Sequence, residues 1–285
     1  AGGTTSDEMR QRFEREANAV SSLEHPNIVR LYDYGVAQLE DAVPYMAMEY
    51  VRNGYPLGRA LDAIRRKSNG VVPKAVVRAV FAQILHAVGA AHAAGIVHRD
   101  LKPDNVMIAP VHGQPLQVKV LDFGLATMVA GRECADQAAV SQAGQCIGTP
   151  TYMAPEQASG RARKTLDGRA DLYAVGVMLY EIFTGTLPFK ADSPLGILVQ
   201  KADPAFRPLE QPAAASLPPQ IASFLATALQ PNPDDRFPSA SAMLDALDRV
   251  LAAVSFDAPG PAVRAATPVP AAPASPAAAP EAPSE

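Results

Sequence analysis

The sequence predicts an α+β fold, and three observations carry that expectation. Two early segments, Ile28 to Ala37 and Ala42 to Tyr50, alternate well enough for antiparallel strands around a turn near Glu40 and Asp41. Two shorter strand signals follow, Val106 to Ile108 and Gln117 to Leu121, on either side of a turn at Gly113. The longer periodic segments repeat apolar residues at helical spacing, so helices dominate a small amount of sheet.

Composition narrows the class. A chain of 285 residues with 48% apolar and 19% charged residues is long and apolar enough for a substantial core. A net charge of -4 argues against a nucleic-acid partner. Cys134 and Cys146 are too few for a disulfide scaffold and match no metal-site spacing, which favours a reducing compartment. The start, AGGTTSDEMRQ, has no apolar signal core and no initiator Met. The apolar run around Leu172 to Phe183 is interrupted by Glu181 and is too short to span a bilayer. No membrane segment is expected in this chain, and it reads as cytoplasmic.

Taken in order, residues 1–6 are a Gly/Thr/Ser linker. Asp7 to Leu23 forms a helix, with Met9, Phe13, Ala17 and Val20 at helical spacing and Ser6 or Asp7 as its cap. Leu57 to Arg66 is a short helix, and Asn69 to Pro73 a turn ending in a Pro helix start. Lys74 to Ala94 is a long helix whose apolar face is Val77, Val80, Phe81, Ile84, Leu85 and Val88, and Gly95 ends it. Residues 127–147 are a mixed stretch without periodicity. Asp171 to Thr184 is an apolar helix central to the core, ended by Leu187 and Pro188. Residues 203–219 are a Pro-rich connection between it and two terminal helices, Gln220 to Gln230 and Ser239 to Val254. From Ala258 the chain is nearly all Ala and Pro with a few acids, a composition that prefers extended or disordered states.

The stretch from Val97 to Ala126, VHRDLKPDNVMIAPVHGQPLQVKVLDFGLA, concentrates the chemistry. Asp100 can accept a proton as a loop base, and Lys102 can neutralise negative charge beside it. Asn105 and Asp122 offer hard oxygens for magnesium, and the two short strands would bring them to neighbouring strand ends. Each residue alone has an ordinary reading: Asn105 as a local turn former, Asp122 as a turn acid before Gly124, His98 as a core or loop histidine.

Together, HRDxKxxN followed by DFG resembles the eukaryotic-like serine/threonine protein kinase family, in its bacterial form. The resemblance runs from about Asp7 to Leu251. It implies a bilobal fold, mostly the helical large lobe with a truncated small lobe: a partial small lobe over residues 7–50, a large lobe over 51–254 and a tail over 255–285. It implies phosphoryl transfer from ATP to Ser or Thr hydroxyls of proteins, with ATP and Mg2+ (or Mn2+) as cofactors. Asp100 would be the base, Lys102 a charge stabiliser, and Asn105 and Asp122 the metal ligands. Thr149, in GTPTYMAPEQ, would bond toward Asp100 and Lys102, and together with the DLKPDN loop it favours Ser/Thr over Tyr acceptors. Glu16, otherwise a solvated helix acid, would pair with the family's ATP-binding lysine. Met48 would be the gatekeeper, and the backbone of Glu49 and Val51 would meet the adenine.

The same resemblance assigns regulation and framework. Arg99 would pair with a phosphate on the activation segment, for which Ser141, Thr149 and Thr151 are candidates, Ser141 through autophosphorylation. Glu156 and Arg236 would form a buried ion pair, and Asp171 would brace the catalytic loop. Val20, Leu31, His98 and Phe123 would form the apolar column between the lobes.

The sequence also departs from the family. No G-x-G-x-x-G loop precedes Glu16; Gly2-Gly3 lacks the preceding strand and the third glycine. No lysine occurs before Lys67. The expectation is a fragment of an ordinary kinase rather than a naturally shortened relative, and this polypeptide by itself would bind ATP poorly. The alternative is a pseudokinase-like scaffold that uses the same clefts for binding. Such kinases often continue past a linker into a membrane span, and the Ala/Pro tail suits that plan.

Overall fold

The computed structural model describes residues 20–38, 42–68, 70–110, 116–123, 150–158, 166–203 and 206–255. Two small antiparallel sheets accompany a helical body. β1 (Leu31–Gln38) pairs with β2 (Ala42–Met48) from Leu31 opposite Met48 to Gln38 opposite Ala42. The second sheet has the order β3-β4-β5, from Tyr55–Pro56, Val106–Ala109 and Gln117–Val120. This is the predicted mixture: mostly helix, with a two-stranded small-lobe remnant and a three-stranded sheet at the top of the large lobe. The two-residue β3 is too short to leave an alternation in the sequence.

The segment entering β1 ties the two parts together. Ile28 bridges Val120 in parallel; the Val29 N–H donates to the Val120 carbonyl at 2.9 Å and the Val120 N–H to the Asn27 carbonyl at 2.8 Å. Buried Asn27 completes the junction, donating through Nδ2 to the Val118 carbonyl and to Gln83. Of the predicted first helix only its end at Val20–Ser21 falls among the described residues.

The helical body comprises α1 (Leu57–Lys67), α2 (Lys74–Ala93), the single turn α3 (Pro155–Ala158), α4 (Arg169–Thr184), α5 (Pro194–Ala202), α6 (Pro219–Ala228) and α7 (Ala240–Ala253). α2 buries Val77, Val80, Phe81, Ile84, Leu85 and Val88, as its spacing requires, and lies along α7 and β5. Gly95 at φ 76° closes it in a Schellman arrangement: Gly95 N–H bonds the His92 carbonyl and Ile96 N–H the Ala91 carbonyl. Among the described residues α2, not the Leu172 to Phe183 run, is the one helix long and apolar enough to cross a membrane. Its apolar side chains are accounted for by core packing.

α4 is apolar on all sides because it is surrounded: Tyr173, Tyr180, Leu172, Met178 and Leu179 are fully buried. Burying each such side chain contributes roughly 1.5–3 kcal/mol. The helix ends at Thr184, as predicted, but it is closed by Gly185, in the left-handed conformation at φ 70° with its N–H on the Glu181 carbonyl, rather than by the Leu187-Pro188 pair. α5 was not anticipated, although its start is marked: Ser193 accepts from the Gly196 N–H as N-cap and Pro194 follows at the first helical position.

Candidate active site

The site is assembled by β4 and β5 and by the loop entering β4. Val106 pairs with Val120, so Asn105 and Leu121 emerge side by side, with the Leu121 N–H on the Asn105 carbonyl at 2.8 Å. The Leu121 carbonyl is held by His98 Nε2 at 2.7 Å. His98 Nδ1 accepts from the Asp100 N–H at 3.3 Å, which requires the Nε2–H tautomer. Both backbone groups of Leu121 are thereby engaged, and Asp122 follows immediately in the left-handed conformation at φ 55°. Such strain, about 1 kcal/mol or more for a non-glycine residue, persists where surrounding contacts enforce it. Phe123 is buried beside His98, their ring centroids 4.8 Å apart.

Three side chains converge on the loop. Lys102 Nζ lies 2.7 Å from Asp100 Oδ2. Asn105 Nδ2 donates to the Asp100 carbonyl at 2.7 Å and to Asp100 Oδ2 at 3.2 Å. With its amide nitrogen so engaged, Asn105 has its Oδ1 left as an acceptor, next to the Asp122 strand end. The donor set is one amide oxygen and one carboxylate, both hard oxygens. That fits Mg2+, which keeps water or substrate phosphate in its remaining positions rather than filling an all-protein cage. Among the described residues no cluster of three His, Cys, Asp or Glu side chains forms such a cage.

The loop is braced from below by α4. Asp171, 1% exposed, accepts the His98 N–H at Oδ2 and the Arg99 N–H at Oδ1, each at 2.9 Å. His92 Nε2, at the end of α2, bonds the same Oδ2 at 2.8 Å. Gln157 in α3 donates to the Arg99 carbonyl at 2.7 Å and accepts the Ala154 N–H at 2.9 Å, which ties the 154–157 segment to the loop that carries Asp100. The Arg99 Nε is buried without a partner among the described residues.

Arg236, with no exposed side-chain surface, uses all its N–H donors. It forms a two-point pair with Glu156 at 2.7 Å per bond and also bonds the carbonyls of Gln230, Arg169 and Pro231. Val20, Leu31, His98 and Phe123 are all buried. At the strand end leading from β2, the Glu49 N–H is taken by the Arg30 carbonyl at 2.8 Å, so at this residue only the carbonyl can meet an adenine. The partly exposed Glu49 carboxylate pairs with buried Lys119 at 2.7 Å. Met48 is 37% exposed, and the Val51 carbonyl accepts from the Gly54 N–H. Thr151 is 5% exposed, so in this arrangement its hydroxyl is closed to a phosphorylating partner. Glu16, Ser141 and Thr149 lie outside the described residues.

Sequence reasoning missed His92, Gln157, Lys119 and Lys201. For Lys201 a signal existed: it falls three residues after Leu198, and these two are the buried positions of α5.

This arrangement of loop, strand ends and bracing helix can now be set beside known proteins. The family model for the protein kinase domain matches residues 3–246. The chain is 42% identical over 260 residues to serine/threonine-protein kinase PksC of Streptomyces coelicolor, covering 89% of this chain and 43% of that protein. It is 42% identical over 245 residues to serine/threonine-protein kinase pkn3 of Myxococcus xanthus, covering 84% and 42%. The crystal structure of the Mycobacterium tuberculosis PknI kinase domain superposes with a TM-score of 0.56 at 27% identity, covering 86% of this chain and 80% of that one. Rad53 in complex with AMP-PNP superposes with a TM-score of 0.58 at 29% identity, covering 82% and 53%. The chain belongs to the protein kinase family, with bacterial serine/threonine kinases as its relatives. It spans less than half the length of PksC or pkn3.

Proposed function

We propose that the protein is a serine/threonine protein kinase that moves the γ-phosphoryl group of ATP to Ser or Thr hydroxyls of proteins. The observation that carries this reading is the convergence on Asp100: its Oδ2 is bonded by Lys102 at 2.7 Å and by Asn105 at 3.2 Å. A carboxylate fixed by two donors keeps one oxygen to accept a hydroxyl proton, which is what a positioned base needs. Lys102, beside it, stabilises charge as the phosphoryl group transfers. Asn105 and Asp122 would hold magnesium, which when bound would offset the negative charge of the phosphates. A relative in the same fold is described in complex with AMP-PNP, which supports an ATP-type nucleotide as donor.

In this reading Glu16 would pair with a nucleotide-binding lysine, and Thr149 would support Asp100 and Lys102. Met48, Glu49 and Val51 border the adenine, Glu49 through its carbonyl. Arg99, with a buried Nε that lacks a partner among the described residues, receives a phosphate from the activation segment, with Ser141 its first candidate donor through autophosphorylation. The domain division is residues 7–50, 51–254 and a tail from 255.

The test is transfer of labelled phosphate from ATP to a generic protein substrate, with and without Mg2+, followed by phosphoamino-acid analysis. Magnesium-dependent phosphoserine or phosphothreonine supports the reading. Tight protein binding with no transfer from the full natural length of the protein supports the scaffold reading instead.

A further inference from the structure

Lys201 is the one buried cation of α5, 4% exposed. Its Nζ donates to the Thr151 carbonyl at 2.8 Å and to the Met153 carbonyl. It sits between two rings, 5.1 Å from the Tyr173 centroid and 4.9 Å from that of Phe189. The far side of the neighbourhood holds a second cation, with Arg236 Cζ 4.8 Å from the same Tyr173 ring. Glu156, the acid of this cluster, is bonded at both oxygens to Arg236. Three N–H donors thus meet two carbonyls and two ring faces, an arrangement that suits an ammonium but leaves it largely desolvated.

We propose that Lys201 is a positioning residue for the protein acceptor: it fastens the 151–153 backbone to α5, and through that segment sets acceptor affinity without touching the nucleotide site. This rests on the proposed transfer to a protein acceptor, and takes the 151–153 segment, tied through Ala154 and Gln157 to the backbone beside Asp100, as the surface that acceptor meets. The segment is held from three directions. Lys201 takes the carbonyls on either side of Tyr152; Tyr152 donates its hydroxyl to Glu181 Oε2 in α4 at 2.8 Å; and Ala154 is bonded to Gln157, which reaches the Arg99 carbonyl beside Asp100. Remove the amine and two buried carbonyls lose their donor while the other two ties remain. The segment then loosens locally rather than unfolding the lobe.

The groups facing the amine are Tyr173 from α4, Glu156 from α3 and Arg236 from the loop before α7. Burial, with Arg236 adding to it and Glu156 opposing, pushes the Lys201 ammonium down to about 7.

The experiment uses the protein at its natural length with Lys201→Met and Lys201→Gln. Amide hydrogen exchange is read across residues 150–158, with α6 as the internal reference. The expected result is about tenfold faster exchange at 150–154 with α6 unchanged, and an acceptor KM raised about tenfold with the ATP KM unmoved. Unchanged exchange in both variants overturns the proposal, and so does a raised ATP KM with an unmoved acceptor KM. The exchange contrast is read whether or not phosphate is transferred, so failure of the kinase reading and failure of this one are separable. A third measurement needs no variant: NMR titration of the wild-type Lys201 Nζ. A midpoint below the ordinary 10.5 supports the sealed, doubly bonded amine, and rapid solvent exchange of its ammonium protons would show it solvated and overturn the proposal.

Discussion

Asp171 and Arg99 are joined at 2.9 Å through a carboxylate oxygen and a backbone N–H, and Arg99 sits there at φ 68°, in the left-handed region. A side chain as long as arginine adopts that conformation only at a cost, and the bond from α4 offsets it. The other oxygen of Asp171 holds the preceding amide, that of His98. One buried acid therefore fixes the two peptide units that lead into Asp100.

Asp171→Ala leaves those two amides and His92 without an acceptor and releases Arg99 from its strained backbone. The expected loss is about 3 kcal/mol. Urea denaturation of the variant against wild type measures it, and a loss under about 0.5 kcal/mol contradicts the bracing role.

The Glu156–Arg236 pair is buried at both ends. Arg236→Met strands the carboxylate and is expected to cost about 3–5 kcal/mol. The double variant Glu156→Leu/Arg236→Met removes both charges, so it should cost less than the sum of the two single changes. Additive losses in a double-mutant cycle contradict the pairing.

Glu181 gives a pH signature. Its carboxyl is raised above the ordinary 4.5 by burial, with the Tyr152 hydroxyl and nearby Arg65 pulling it back only in part. A raised acid binds more protons in the folded state than in the unfolded one. Its contribution is therefore fully present below 4.5 and is lost as pH rises through the folded value. Glu181→Gln keeps an acceptor for Tyr152 and removes the titration. The Tm of wild type should fall relative to this variant between pH 4.5 and 7; parallel Tm curves contradict the assignment.

Much of the candidate site was legible because its residues are close in sequence. Asp100, Lys102 and Asn105 lie within one loop, and Asp122 follows a hairpin whose register the alternation already suggested. The residues that hold that loop were not all so placed. His92 and Gln157 act on Asp171 and Arg99 from 79 and 58 positions away, and their types have many ordinary uses. For Lys201 the spacing from Leu198 marks a buried face of α5, but not the Thr151 carbonyl that it reaches across 50 positions. The fold was read in the same way: α2 and α7 have long apolar faces, whereas β3 is two residues long. The end of α4 at Thr184 was read correctly, but it is the left-handed cap at Gly185, not Leu187-Pro188, that closes the helix.

The account stands on Asp100 as the base at the meeting point of Lys102, Asn105 and the Asp122 strand end. Single-turnover phosphoryl transfer from ATP to a protein acceptor, compared between wild type and Asp100→Asn at natural length with Mg2+ present, tests it most directly. The account predicts Ser/Thr phosphorylation that falls by about 10²–10⁴-fold in the variant, while nucleotide binding is retained. A transfer rate that Asp100→Asn leaves within a fewfold of wild type would contradict it.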